Sequence, residues 1–310
     1  PAWLDAMAHW QPMDMFRIYP YNVWSYGEEN DVESIYTWPV VNPCRIDQVT
    51  LNQSYLEVDF FDTAIGNTHG LAAIEYLLYG PFTTTCPNPE ERDLPDSMAQ
   101  FYEDWQELAP EEIAVRRAQY AHALATQIHQ ASFTMEAIWS SHIATILAPE
   151  NIPAPNEYTE PLTIIVNYLF AVGTRLGDTK LAMPLGIANH CNNQDEDCAS
   201  YVESNIAKQG GRWLVTNLIT SRSIFTGGDG MGFDDLLTAK NEHTLRDNIL
   251  SDFERAIEIA EALDADLQSE ILNNRVLVER LYQVVETLTG RLNDVRNIWS
   301  LRRFYTGGYE

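Results

Sequence analysis

The side chains here that could do chemistry are scattered along the chain. The clearest is Glu75, a carboxylate inside the otherwise apolar run "GLAAIEYLLYG" (70–80). A carboxylate in such a run is rarely buried without a partner. On a helix it shares its face with Leu71, Ala72, Leu78 and Tyr79, so burial should raise its pKa unless a cation or several donors approach. Arg17, Arg45 and Arg175 are the candidate cations. His69 stands six residues earlier, and six residues turn a helix by about 240°. The two can therefore share a site only if the helix begins after His69. A second constellation, His122, His129 and Glu136, repeats every seven residues with a drift of about 20° per step. Each step rises about 10.5 Å, too far for the two histidines to share one metal, so a solvated face is expected. Hydrolytic signatures are absent: there is no His-Glu-x-x-His, no Gly-x-Ser-x-Gly and no P-loop. "GGDGMG" (227–232) follows no strand pattern and reads as a helix stop. "NQDEDC" could hold calcium loosely but lacks the spacing and glycine of an EF-hand.

Those residues need rigid elements to position them, and the elements read as helices. From Ile113, positions Tyr120, Leu124, Ile128, Ala131, Met135, Ile138 and Ile146 recur by threes and fours, one stripe on a long helix. Residues 160–180 and 211–226 read as buried helices. Residues 242–270 and 274–304 read as amphipathic ones, the first with the stripe Leu245, Ile249, Phe253, Ile257, Ala260 and Leu263. No segment alternates like a strand. Pro149, Pro153, Pro155 and Pro161 punctuate the chain. We therefore expect an all-α protein of two helical bundles, 1–150 and 151–310. Residues 21–65, rich in aromatics, and 80–110 read as long loops, either functional or packed lids.

Composition sets further bounds. The chain has 310 residues, 45% hydrophobic and 21% charged, a globular balance with room for two domains. Lys and Arg number 19 against 45 Asp and Glu, a formal net charge of −26. So acidic a surface repels nucleic acid and anionic lipid, aids solubility and can attract cations. The most apolar stretch, "PLTIIVNYLFAVG" (161–173), is too short to span a membrane. The chain opens at Pro1 in an amphipathic segment, consistent with a form lacking its leader. Cys44, Cys86, Cys191 and Cys198 form no CxxC motif. An even count in loops favours disulfides, with Cys44–Cys86 and Cys191–Cys198 the preferred pairing, and an oxidising compartment; buried free thiols are the alternative.

"GLAAIEYLLYG" resembles the signature of the imelysin-like proteins, Gly-x-His-x-x-Glu followed by an aromatic, two leucines, an aromatic and Gly. Gly70 and Glu75 match, and Ala72 stands where the family has its histidine. Other segments follow in the family's order. "SIYTWPVVNPCRID" resembles its Trp-Pro segment, with Trp38, Pro39, Ile46 and Asp47. "DTKLAMPLG" resembles its Lys-Leu-x-x-Pro-Leu-Gly turn, from Lys180 to Gly186. "ESNIAKQGGRWLVTNLITSRSIFTGG" resembles its Glu-Ser segment, through Glu203, Ser204, Asn217, Leu218, Phe225 and Gly227. "GMGFDDLL" resembles the segment after it. The resemblance covers most of residues 35 to 240. Ile206, Ala207 and Gly210 replace polar residues the family often has, and the C-terminal "RRFYTGGYE" departs from its usual ending.

The resemblance implies two helical bundles with the signature helix near their interface. It implies a periplasmic or cell-envelope bacterial protein, often a lipoprotein anchored upstream of a chain like this one, linked to iron uptake, and it brings a peptidase label. The candidate ligand-binding residues are Glu75, His69, Trp38, Glu203, Ser204 and Lys180, and Glu75 is the candidate metal ligand. The expected ligand is a small molecule, iron or another divalent cation in the cleft between bundles, with an outer-membrane uptake protein as a partner. His-x-x-Glu puts both side chains on one helix face, where they could hold a metal, but Ala72 removes the imidazole. A binding protein is therefore preferred over a metallopeptidase, and a degenerate member that keeps only the fold is the third reading.

Overall fold

The computed structural model describes residues 2–16, 35–88, 95–147, 161–187, 191 and 198–301. Among them the regular structure is helical, with no strand, as the apolar spacing predicts. The proline-rich boundary at 150–160, Arg17, the first part of the aromatic-rich stretch, the acidic loop 192–197 and the C-terminal tail lie outside the described residues. The chain divides into two compact units, one of Pro1–Trp3 and Gly27–Trp139, the other of Leu4–Tyr26 and Ser140–Glu310. Helix α1 (Ala2–Asp14) opens the chain.

The first unit contains α2 (Pro43–Asn52), α3 (Phe60–Thr63), α4 (Gly70–Tyr79), α5 (Asp96–Glu107) and the start of α6 (Pro110–Leu147). Two stretches that read as loops are therefore partly helical. Helix α2 starts where Asn42 caps the Arg45 amide at 3.1 Å and Pro43 takes the first turn, a polar start signal rather than an apolar stripe. Helix α5 buries only Phe101 and Trp105, too sparse a pattern to stand out in the sequence. They pack with Ile113 and Cys86. On α6, Ile113, Tyr120, Leu124 and Ala131 are buried as the stripe predicts, and His122, His129 and Glu136 are exposed. Gly70 takes φ +77°, and a Cβ there would lie 2.9 Å from the Ile35 carbonyl oxygen, so only glycine fits at the head of α4.

The second unit contains α7 (Pro161–Leu169), a π-helix (Val172–Ala182), α8 (Gly210–Thr226), α9 (Phe233–Ala239), α10 (His243–Glu261), α11 (Leu267–Asn273) and α12 (Arg275–Ile298). Helix α10 packs on α8 and α12 through Ile249, Phe253, Ala256 and Ala260. The stretch expected as one buried helix over 160–180 breaks after Leu169 and continues as an eleven-residue π-helix. Gly173 and Gly177 weaken the α-helical preference there and bring the segment against Thr289 and Glu286 of α12. Gly227, left-handed at φ +70°, stops α8, as the glycine cluster predicts. Among the described residues no helix is long and apolar enough to cross a membrane.

Both expected disulfides are present, Cys44–Cys86 with Cα atoms 4.5 Å apart and Cys191–Cys198 with 5.7 Å, and no cysteine is free. Thiol titration of the unfolded, unreduced protein should therefore find no reactive thiol. The bridges span 42 and 7 residues of sequence. Replacing Cys44 and Cys86 by serine should cost about 4 kcal/mol in urea denaturation, and replacing Cys191 and Cys198 about 2.5 kcal/mol.

Candidate functional site

In the first unit the signature helix begins after His69, as a shared His69–Glu75 site would require. His69 is the residue capping α4, with extended backbone. Its carbonyl accepts from Thr37 Oγ1 at 2.7 Å, and its ring meets Phe60 and Phe61 at centroid distances of 5.6 and 5.4 Å. The ring is buried, and its Nε2 has no hydrogen-bond partner. Burial lowers the pKa of the imidazole, so the neutral form is favoured. Glu75 is 6% exposed, so its carboxylate is buried as expected together with Leu71 and Ala72, whereas Leu78 and Tyr79, expected on the same face, are exposed at the end of the helix. Trp38 is buried in the turn before α2. Arg45, a candidate partner of Glu75, is exposed and donates instead to Gln48 at 2.9 Å.

A cluster that sequence reasoning did not single out lies beside this helix. Asp47 of α2 is fully buried and forms an ion pair with Arg117 of α6 at 3.2 Å. The same carboxylate accepts from the Tyr76 hydroxyl at 2.8 Å, the Thr84 hydroxyl at 3.0 Å and the Thr85 amide at 2.9 Å. Arg117 also donates to the Gly80 carbonyl at 3.1 Å and lies over the Tyr76 ring, 5.0 Å from its centroid. Burial first, then the Asp47 charge, pushes the Tyr76 hydroxyl well above its ordinary pKa, so it stays a donor. Asp47 and the aromatic after Glu75 are both motif residues, and the only sequence signal for the cluster was that membership.

In the second unit the structure brings Lys180 and Glu203 together. Lys180, on the π-helix, is 1% exposed. Its ammonium lies 2.8 Å from Glu203 and 2.9 Å from Asp14, and donates to Asn217 at 2.7 Å and Gln11 at 2.9 Å. Gln11 donates to Glu203 at 3.0 Å, and Asn217 donates to the Gln11 carbonyl at 2.8 Å. Arg175, another candidate partner of Glu75, donates to Asp14 at 3.0 Å. Ser204 is buried with left-handed backbone, φ +50°, and its hydroxyl accepts from the Trp213 indole at 3.0 Å. Gln11 and Asp14 of α1 were missed, because nothing in their local sequence marks them as buried.

The chemistry open to these groups differs. Lys180 and Glu203 are spent on each other and on neighbours, in a buried network suited to fixing the fold. The His69 imidazole keeps an unused nitrogen. A catalytic zinc centre usually has three protein ligands and an open position. Ala72 offers no donor, and among the described residues no group of three or more His, Cys, Asp or Glu side chains is placed to hold a metal ion. The described residues do not fit a three-ligand catalytic metal centre.

Two measurements test these assignments. Lys180→Met should cost about 3–5 kcal/mol in denaturant unfolding, because it leaves buried Glu203 without its cation. Adding Glu203→Gln to that variant should recover part of the loss, since Asp14 keeps Arg175. For His69 the folded pKa is depressed while the unfolded one stays near 6.5. Its effect on stability is therefore nil above about pH 7 and becomes destabilising as pH falls below about 6.5, where only the unfolded chain takes up the proton. The stability difference between wild type and His69→Phe should be flat above neutrality and move in favour of the variant below it.

The family model described as imelysin, Peptidase_M75, matches residues 1–292. No curated protein and no solved structure matches the chain. The family match extends past the quoted motifs into the helices after residue 242, which fit by their helical character alone. Its range therefore takes in the signature helix and its Asp47 cluster as well as the Lys180 network, and the chain belongs to the imelysin family.

Proposed function

We propose that this imelysin-family protein is a non-enzymatic binding component of the bacterial cell envelope, linked to iron uptake. On this reading it takes a small ligand or a divalent cation at the start of its signature helix. The observation that carries it is the buried His69 ring, whose Nε2 has no partner and whose neutral form is favoured. A buried nitrogen left unpaired costs stability unless something else uses it, and a neutral imidazole is a good cation ligand. Glu75, buried on the same helix, supplies a carboxylate for a cation to pair with. The net charge of −26 favours cations over anions. Two disulfides and no free thiol favour an oxidising compartment such as the periplasm. A lipid anchor upstream and an outer-membrane uptake partner belong to the same reading. The peptidase alternative needs ligands that the signature helix does not carry.

Titration of the metal-free protein with iron and zinc, followed by calorimetry, tests the proposal. Wild type should bind one of them. His69→Phe and Glu75→Gln should each weaken binding at least about tenfold, the loss of one good ligand contact. Ala72→His should strengthen it by rebuilding the i, i+3 pair. Phenylalanine fits beside Phe60 and Phe61, so the thermal midpoint of the metal-free His69→Phe protein should not fall. Binding that ignores both residues overturns the reading, and peptide hydrolysis abolished by Glu75→Gln replaces it with the peptidase.

A further inference from the structure

The segment between α2 and α4 carries three apolar side chains outward. Val58 is fully exposed, and Leu56 and Ile65 are 64% and 63% exposed. Single exposed aliphatics are ordinary, but three on one short segment need a reason. The segment cannot tuck them in. Its inward places are taken by Tyr55 and Phe60, buried against Tyr120 with ring centroids at 4.9 and 5.9 Å. Successive turns hold the backbone around them. The Glu57 amide donates to the Ser54 carbonyl at 3.0 Å, the Phe60 amide to Glu57 at 3.3 Å and the Ala64 amide to Phe60 at 2.8 Å. Leu56 and Val58 are thus presented on a fixed backbone, which lowers the ordering cost of any contact they make.

Beside them lies a pocket of about 270 Å³, with Val49 of α2 on one side and Phe60, Ala64 and Ile65 on the other. That is below the roughly 300–1,000 Å³ of sites that enclose a drug-sized ligand, and it suits a single inserted side chain. Ile65 belongs to both the pocket and the exposed set. Protein interfaces seat their anchor side chains in pockets of this kind, ringed by contacts that exclude water. Charge narrows the partner. Glu57, Asp59 and Asp62 are exposed on the same segment, and none forms an ion pair among the described residues. They repel anionic lipid, and they repel a second copy of this chain, which brings the same three carboxylates. Arg45 lines the α2 side of the pocket and disfavours a cation there, so the partner's cations belong on the side of residues 57–62.

We propose that this face docks a protein partner by a basic segment with one apolar anchor. The anchor side chain enters the pocket between Val49, Phe60 and Ile65, Leu56 and Val58 cover its flank, and lysine or arginine residues beside it meet Glu57, Asp59 and Asp62. The inference does not rest on the reading of His69 and Glu75, and none of the side chains altered below belongs to that site.

Calorimetry on the oxidised chain tests it, in about 0.15 M salt, where exposed charges are screened beyond about 8 Å. The probes are acetyl-Leu-Lys-Arg-Lys-amide and its counterpart with phenylalanine first. At least one should bind with a dissociation constant below about 1 mM, and the counterpart with alanine first at least about tenfold more weakly. Val58→Ser and Ile65→Ser should each lose a similar factor, and because both side chains are exposed their thermal midpoints should match wild type. Glu57→Gln, Asp59→Asn and Asp62→Asn combined should weaken binding at least about tenfold. Asp59 makes no side-chain cap bond to α3, so this variant keeps its fold. Glu254→Gln, Glu258→Gln and Glu261→Gln combined remove as much charge from the exposed face of α10 and should leave binding unchanged. The proposal is overturned if neither peptide binds at about 10 mM, if the alanine peptide binds as well as the others, or if the α10 variant loses as much as the first. It is also overturned if sedimentation shows a dimer that Val58→Ser dissociates, which makes the face a contact between copies, or if phosphatidylcholine vesicles bind the chain through Val58.

Discussion

A buried ammonium must be surrounded by acceptors, and Lys180 imposes that requirement on the second unit. Removing a charge from water costs several kcal/mol per ion, and only close, well-oriented partners offset it. The partners come from far along the chain: Gln11 and Asp14 from α1, Glu203 from the segment before α8, and Asn217 from α8 itself. One side chain thus ties together segments that share little local sequence logic. The π-helix that carries Lys180 is part of the same constraint, because a widened turn sets where its side chain emerges. Arg175, from the same π-helix, holds the other oxygen of Asp14.

The first unit solves a similar problem with the signs exchanged. Asp47 is the buried charge, and Arg117 with hydroxyls and an amide surrounds it. Thr84 and Thr85 lie just before Cys86, whose bridge to Cys44 ties the same loop to α2. The covalent and polar ties act on one short segment, and Trp105 closes it by donating to the Phe82 carbonyl at 3.1 Å. The Arg117 guanidinium also lies within reach of the Phe82 and Trp105 rings, so the aromatic residues that flank the loop serve the same buried pair. These ties explain how the described part of that segment, residues 80–88, is held against α2 and α5.

Within the Asp47 network itself the Arg117 Nε is buried without a hydrogen-bond partner, and the same holds for one atom each of His69 and Asn67. At His69 a ring nitrogen is buried and unused; at Asn67 an acceptor is buried and unused. Native structures leave few such atoms, and they concentrate where strain, water or a ligand gives them a role. The charges of Lys180 and Asp47 are neutralised by their own partners.

The helical class, the long stripe of α6, the solvated face of His122, His129 and Glu136, the stop at Gly227 and both disulfide pairs were legible in the sequence. Each is a local or counting property: periodicity, a glycine where the chain must turn left-handed, an even number of cysteines in loops. Membership of Glu203 and Lys180 in the site was legible only through resemblance, and their direct ion pair was not. Helices α2 and α5 were read as loops because a polar cap and two isolated aromatics leave no apolar stripe. Gln11, Asp14 and Arg117 escaped notice because burial of a polar side chain depends on partners tens to hundreds of residues away. Local sequence determined which segments coil and where they stop. Only the tertiary structure decided which charges meet, since the cost of burying one is settled by groups that the chain brings together after it has folded.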